Sequence, residues 1–598
     1  MFFSNKLSTN KLKAILQEQA ELYRDHPNDR PSRMKEDLIK LESLIKENRR
    51  KEATELAHDL QKFGKTHFKK NYIKSFFLGA LGIGVALIAA VIIRQSWFEL
   101  YEIPTGSMRP TFREQDLLSV TKTPFGINVP LMTDHFYFEP ELVQRGSVVI
   151  FSGDKLDMAD TDSSFLYIFP YKKRYVKRMI GKPNDTLYFY GGQVYGVDKD
   201  GNEIQELLGK GWMEKLEYIP YITYEGKIVP SQSGKIYLKQ MNETIGRLSQ
   251  NAFGDFEGEI KTDKGWVKDN PAASKKETSP TTLTDLWGMG NFAKSRIVEK
   301  GGKRFLEINH HPSLTNPKPY FTQERYGFNF ALTPQKSYLP LDKELENKLF
   351  DNLYTARFLI KNGKGARYNA GNESWGAFSP AFKGIPDGTY EFYYGKGYKV
   401  GFGGLLSELP DTHPLMAKTP ENITRLYNLG IEVDTRFKGD PENRLLPTRY
   451  VYFRNGDLYA MGGVLLENND PRLEKFIAEE KKRAEVSNYL PFIDLAGAPT
   501  KEMIQNYGLK VPEGHYLVLG DNHAMSGDSR LFGFVPEENL QGAPSIILWP
   551  WGDRIGTPNM PSYPLFNLSR SLVWVLAAIG FGLWWLWHEK RLNKPLDL

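Results

Sequence analysis

Apolar positions along this chain follow three different rules. Between residues 9 and 63 they are sparse, set among charges and spaced for a helix, so that Leu38, Ile39, Leu41, Leu44 and Ile45 form one stripe of a helix after Pro31. This spacing predicts a helical pair ahead of residue 75. Two runs are apolar throughout, 75–93 (SFFLGALGIGVALIAAVII) and 571–587, the second ending in Trp584, Trp585 and Trp587. At ~1.5 Å per residue the first is long enough for a hydrocarbon core of roughly 30 Å, and the second is at the short end, with its tryptophans suited to a membrane interface. Everything between them breaks into short apolar runs bounded by Pro, Gly and Asp, which predicts strands. Leu117-Leu118-Ser119-Val120 and Val148-Val149-Ile150-Phe151 are two of these, 186–197 reads as a hairpin turning at Gly191-Gly192, and Tyr450–Tyr459 as another turning at Asn455-Gly456. Asp470 and Pro471 open a helix running to Val486. The aromatic, glycine-rich stretch Tyr390–Gly404 lacks phosphate-loop spacing and reads as a β core, whereas 255–300 is polar and reads as a loop.

Charge orients this pattern. Lys62, Lys65, Lys69, Lys70 and Lys74 crowd the N-terminal side of the first span and only Arg94 follows it closely, while His588, Glu589, Lys590, Arg591 and Lys594 follow the second. The positive-inside rule then puts both termini in the cytoplasm and the region between the spans outside. The first span starts far from the N-terminus and is followed by Trp97, Phe98 and Tyr101 rather than a small-x-small site, so it reads as an anchor and not a cleaved leader. With 598 residues, two or more folded units are expected. The net charge of +6 is modest and no basic tract interleaves with aromatics, which argues against nucleic acid as a partner. The absence of cysteine excludes disulfides, thiol catalysis and thiolate metal sites. His310 and His311 are adjacent and lack metal-ligand spacing, so no metal and no cofactor is assigned.

The chemistry is carried by Pro104-Thr105-Gly106-Ser107-Met108-Arg109-Pro110-Thr111, just after the first span, and by Tyr175-Val176-Lys177-Arg178-Met179-Ile180-Gly181. A serine hydroxyl becomes a useful nucleophile when a base takes its proton, and a lysine can be that base once burial or a nearby cation such as Arg178 disfavours its ammonium form. Strand alternation puts Tyr175, Lys177 and Met179 on one face, an apolar side for the lysine to lie against. Taken alone, the two residues would read as a turn serine and a solvated lysine.

Three further segments change that reading: Arg145–Phe151, Gly181-Lys182-Pro183-Asn184-Asp185, and Gly520-Asp521-Asn522-His523-Ala524-Met525-Ser526-Gly527-Asp528-Ser529-Arg530 followed by Gly533-Phe534-Val535-Pro536. In this order the five segments resemble the type I signal peptidases over about 75–190 and 510–552. That resemblance implies a membrane-anchored enzyme with Ser107 as nucleophile and Lys177 as general base, Thr105 completing an oxyanion hole with the Ser107 N–H, and Ser526 orienting the lysine. It also implies a structural ion pair between Asp528 and Arg530, and substrate pockets for which Met108, Ile150 and Phe151 are candidates. Asn184 stands where the family has glycine, a change the turn tolerates because asparagine accepts left-handed backbone. His523 and Ala524 also depart from the usual pattern, which puts the packing of that loop in question more than the dyad.

The expected fold is mainly β: a membrane-anchored, β-rich catalytic domain in two parts, 95–197 and 510–555, around a large β-rich (α+β) insertion at 198–509. A cytoplasmic helical region (1–74), two transmembrane helices (75–94 and 571–588) and a cytoplasmic tail (589–598) complete it. The expected activity is removal of signal peptides from exported preproteins after Ala-x-Ala sites, at the bacterial inner membrane with the catalytic domain periplasmic. The expected partners are preprotein signal peptides, the lipid bilayer and the secretion machinery. Two rivals are a soluble, DNA-linked, self-cleaving repressor-type Ser/Lys protease, which the spans oppose, and a catalytically weak membrane scaffold whose insertion binds envelope proteins.

Overall fold

A computed structural model describes residues 6–598 except 28–30, 69–71, 159–160, 166–168, 209–210, 221–222, 227–234, 241–242, 254–255, 263–264, 269–290, 311–317, 322–327, 332–334, 369–380, 430–448, 487–488, 495–496 and 524. The chain divides into two compact units, one made of Met1–Trp97 with Phe566–Leu598 and the other of Phe98–Leu565.

The first unit is helical. Three helices, Thr9–Asp25, Ser32–Lys46 and Arg50–His67, pack around Leu12, Leu16, Leu38, Leu41, Ala57 and Leu60. The sequence pattern predicted a pair; a third helix forms because Ala53, Ala57 and Leu60 give the 50–67 segment its own buried stripe. Within the predicted stripe Leu38, Leu41 and Leu44 are buried, whereas Ile39 is exposed. The two apolar runs are the helices Tyr72–Ser96 and Leu568–Leu592, both long and apolar enough to cross a membrane. After the second, Leu596 and Leu598 pack on the three-helix core, and Gln17 Nε2 donates to the Lys594 carbonyl at 2.6 Å.

The second unit is built on a seven-stranded antiparallel sheet. Its strands are β1 (Phe98–Glu102), β2 (Leu117–Thr121), β3 (Val148–Ser152) and β4 (Arg174–Gly181) from the early part of the chain. The middle segment contributes β5 (Gly388–Tyr393) to a different, five-stranded sheet. The late part returns as β6 (His515–Leu519), β7 (Val535–Pro536) and β8 (Leu540–Trp549), and the large sheet runs β1-β2-β8-β3-β4-β6-β7. Segments more than 300 residues apart in sequence are therefore hydrogen-bonded neighbours, with Leu519 of β6 opposite Arg178 of β4.

Both predicted hairpins form. Thr186–Tyr190 pairs with Gln193–Val197 across Gly191 and Gly192, both with positive φ, and Arg449–Arg454 pairs with Asp457–Ala460 across Asn455-Gly456. Asn184 sits at φ 68°, the left-handed backbone its turn requires. The Pro471–Val486 helix is present, with the Asp470 carboxylate accepting from the Arg472 N–H at 2.9 Å. Tyr390 and Phe392 are buried in the largest core cluster. The 255–300 segment differs from expectation: Phe256–Thr262, Gly265–Lys268 and Phe292–Lys300 are strands, because cross-strand partners bury Ile260, Ala293 and Ile297 that isolated polarity conceals. Residues 269–290, His311 and Ala524 lie outside the described residues.

Candidate active site

Ser107 lies in a single 3-10 turn, Gly106–Met108, and is partly exposed, while Lys177 rises from the middle of β4 and is buried. Lys177 Nζ is 2.9 Å from Ser107 Oγ and donates to the Val176 carbonyl at 3.0 Å. Burial lowers its pKa to about 8; Asp528 and Asp521 pull the other way and Arg530 adds to the lowering. The cation that acts is thus Arg530 rather than the expected Arg178. Arg178 is instead spent on Asp521, donating through Nε at 2.7 Å and Nη2 at 2.6 Å, with both side chains fully buried. Among the described residues no cluster of side chains could hold a metal ion.

The 520–530 loop holds the nucleophile turn from behind. The Asn522 N–H donates to the Ser107 carbonyl and its Nδ2 to the Gly106 carbonyl, each at 3.1 Å. Asp521 also accepts from Thr111 Oγ1 at 2.5 Å and from Tyr218 at 3.0 Å, tying the chain after the nucleophile to the lysine strand. Gly520 must be glycine: a Cβ there would collide with Ser526 Oγ and the Ser107 carbonyl. The motif containing Asp521 and Asn522 was visible in the sequence, but only the folded loop shows which backbone groups they hold.

The remaining expected residues divide by position. Thr105 is exposed beside the nucleophile, its Oγ1 donating to Ser107 Oγ at 3.4 Å. Ser526 is buried near Ser107, and its hydroxyl helps lower the pKa of Asp528; the hydrogen bonds of Lys177 among the described residues run to Ser107 and Val176. Asp528 and Arg530 pair through Nε–Oδ1 at 2.8 Å and Nη2–Oδ2 at 2.7 Å, wholly buried rather than on the surface. Arg530 also donates to the His523 and Ile219 carbonyls, and the His523 ring packs on Tyr450 at 4.5 Å. Met108 and Ile150 share one buried cluster with Val148, whereas Phe151 is buried in another with Val149 and Met179, so none of the three forms an open surface.

A family model described as signal peptidase, peptidase S26, matches residues 77–244 and 446–549. Over those residues the chain is similar to the signal peptidases. The signal-peptidase match reaches further into the middle of the chain than the five motifs do, and leaves 245–445 outside it. Signal peptidase I of Buchnera aphidicola is 27% identical over 165 residues, 28% of this chain and 45% of that protein. Signal peptidase IB of Staphylococcus aureus is 31% identical over 108 residues, 18% of this chain and 51% of that protein. The chain thus spans about half the length of the curated signal peptidases it matches, and is itself much larger than the matched regions.

Proposed function

We propose that this protein is a membrane-anchored serine endopeptidase that removes signal peptides from exported preproteins by a Ser107/Lys177 dyad. The observation that carries this reading is the 2.9 Å approach of Lys177 Nζ to Ser107 Oγ, with the lysine buried and its pKa lowered to about 8. A substantial neutral fraction of Lys177 is then available near neutral pH to take the hydroxyl proton. Ser107 Oγ attacks the scissile carbonyl, and its proton passes to Lys177 Nζ. The tetrahedral oxyanion is stabilised by the Ser107 N–H and Thr105 Oγ1, donors whose loss typically costs roughly 3–4 kcal/mol at the transition state. Collapse breaks the C–N bond, and Lys177 gives the proton to the departing amine of the mature protein. Lys177 then deprotonates a water that hydrolyses the acyl-enzyme.

Ser526 is the residue that orients the lysine, and the Asp528–Arg530 pair keeps in place the loop that carries it. The bond cut follows small residues, Ala-x-Ala in form, and Met108 and Ile150, being buried, lie behind any such pocket rather than on its surface. The substrate is a preprotein whose signal helix lies in the bilayer, reached from the secretion machinery. The helices Gly79–Ser96 and Leu568–Leu592 would anchor the enzyme in the bacterial inner membrane with its catalytic unit on the periplasmic side. In detergent or liposomes, the wild type should cut a purified preprotein at an Ala-x-Ala site, and Ser107→Ala and Lys177→Ala should each lose that cleavage by roughly a thousandfold or more. Cleavage that survives in Ser107→Ala would sink the dyad.

A further inference from the structure

Directly beneath the nucleophile turn lies a buried charge network whose centre comes from outside the signal-peptidase match. Glu391, on β5 in the middle segment, is 1% exposed, as is the Arg109 side chain it contacts. Its Oε2 accepts from Arg109 Nη2 at 2.9 Å and from Arg357 Nε at 2.8 Å, and its Oε1 accepts from Arg113 Nη1 at 3.0 Å. Arg109 is two residues after Ser107 and also donates through Nε to Glu114 Oε2 at 2.7 Å. This pair touches the turn itself, since a Cβ at Gly106 would stand 2.9 Å from Glu114 Oε1 and 3.2 Å from Arg109 Nε.

Charge arithmetic makes Glu391 the member the network cannot lose. Arg109, Arg113 and Arg357 bring three positive charges to a site with two carboxylates, Glu391 and Glu114, and Glu391 contacts all three arginines. Burial alone would raise its pKa, but the three guanidinium groups hold its carboxyl well below the usual range. Without that charge Arg109 and Arg113, which flank Pro110, Thr111 and Phe112, would sit buried beside one another, with Glu114 on Arg109 and Asp116, already paired with Arg554, near Arg113. Their relief is to move, and the turn packed on Arg109 moves with them.

We propose that Glu391 is a positioning residue for Ser107: the middle segment supplies the central carboxylate that fixes the Arg109–Glu114 platform on which the nucleophile turn rests. Glu391 touches neither substrate nor dyad and acts through Arg109 and Arg113. The middle segment is then a part of the catalytic apparatus and not a detachable accessory. The proposal rests on the Ser107/Lys177 reading, so its test is counted per reactive serine.

Full-length wild type, Glu391→Gln and Glu391→Asp are purified in detergent and titrated with a signal-peptidase-directed acylating inhibitor, so that only enzyme with a competent Ser107 is counted. Preprotein cleavage then gives kcat per titrated site and KM. Glu391→Gln, of the same shape without the charge, should lose roughly tenfold or more in kcat with KM within about twofold, and Glu391→Asp should lie between it and the wild type. A merely structural role would lower the number of titratable sites and leave kcat per site unchanged, and that result overturns the proposal. So does an aspartate variant as slow as the glutamine variant, because charge would then not be what acts. Should Glu391→Gln yield no folded protein, Glu391→Asp decides: a loss of about threefold to tenfold in kcat at constant KM supports the proposal, and wild-type kcat or a larger loss overturns it. Failure of the wild type to be acylated or to cleave would instead refute the dyad reading.

Discussion

Lys177 shows how one burial decision sets both reactivity and its pH dependence. Taking the ammonium out of water lowers its pKa to about 8, even though Asp528 and Asp521 oppose the shift. The base form is the neutral amine, so kcat/KM should climb about tenfold per pH unit below that value and level off above it. A profile flat from pH 6 to 9 would mean that Lys177 is not the base. Arg530→Met removes the cation that adds to the lowering, so the rising limb should move to higher pH in that variant. At this scale the sequence was legible where a residue is part of a local motif. Ser107 and Lys177, singled out only by five segments taken together, lie 2.9 Å apart in the fold, and Asn184 could be matched to a left-handed turn. Arg178 was misread because its partner Asp521 is 343 positions away in sequence, and nothing local distinguishes a cation that perturbs a lysine from one already bound to a carboxylate. Glu391 had no signal at all: a lone glutamate in an aromatic strand acquires its meaning only from three arginines brought to it by the fold.

Elements rather than single residues determine how the two halves of the site meet. The 520–530 loop joins β6 to the short Ser529–Phe532 helix and closes on itself through Asp528, which accepts from the Gly520 N–H at 2.9 Å and from the Arg530 N–H at 3.1 Å. Burial is the largest influence and would raise the Asp528 pKa, but Arg530, the Gly520 N–H and Ser526 together outweigh it and the net shift is downward. A carboxylate whose folded pKa is depressed lends stability above its unfolded value near 4, and that contribution fades as pH falls through the lower folded value. Asp528→Asn leaves Arg530 buried without its charge partner, a loss typically of about 3–5 kcal/mol. The expected outcome is faster amide hydrogen exchange confined to β6 and the loop, with the three-helix unit unaffected; unchanged protection over 515–532 would show that the pair contributes little. Element type was readable wherever periodicity or turn chemistry was local, as in the two hairpins and the Pro471–Val486 helix. The strands Phe256–Thr262, Gly265–Lys268 and Phe292–Lys300 were missed because polar faces dominate their composition, and their apolar residues count only once a neighbouring strand covers them.

The whole molecule carries its chemistry between two helices fit to cross a membrane, and the helical unit contains its own evidence of topology. Lys13 Nζ donates to Asn593 Oδ1 at 2.6 Å, Gln17 Nε2 to the Lys594 carbonyl at 2.6 Å, and Arg24 Nη1 to the Asp597 carbonyl at 3.1 Å. With Leu596 and Leu598 packed on the three-helix core, the segment after Leu568–Leu592 lies against the helix that begins at Thr9. If each apolar helix crosses the bilayer once, both ends of the chain occupy the same side, and the proposed orientation, which follows the positive-inside rule, makes that side the cytoplasm. The absence of cysteine gives a clean test, because any thiol label reports only on an introduced residue. Lys11→Cys and Lys594→Cys should resist a membrane-impermeant maleimide on spheroplasts and react after permeabilisation, whereas Asp200→Cys, in the unit that holds Ser107, should react at once. Labelling of Lys594→Cys on intact spheroplasts with Lys11→Cys protected would break the two-span topology, since the tail could not then reach the helix it is bonded to. Protection of all three would place the catalytic unit on the cytoplasmic side, where it would meet a preprotein before export rather than after.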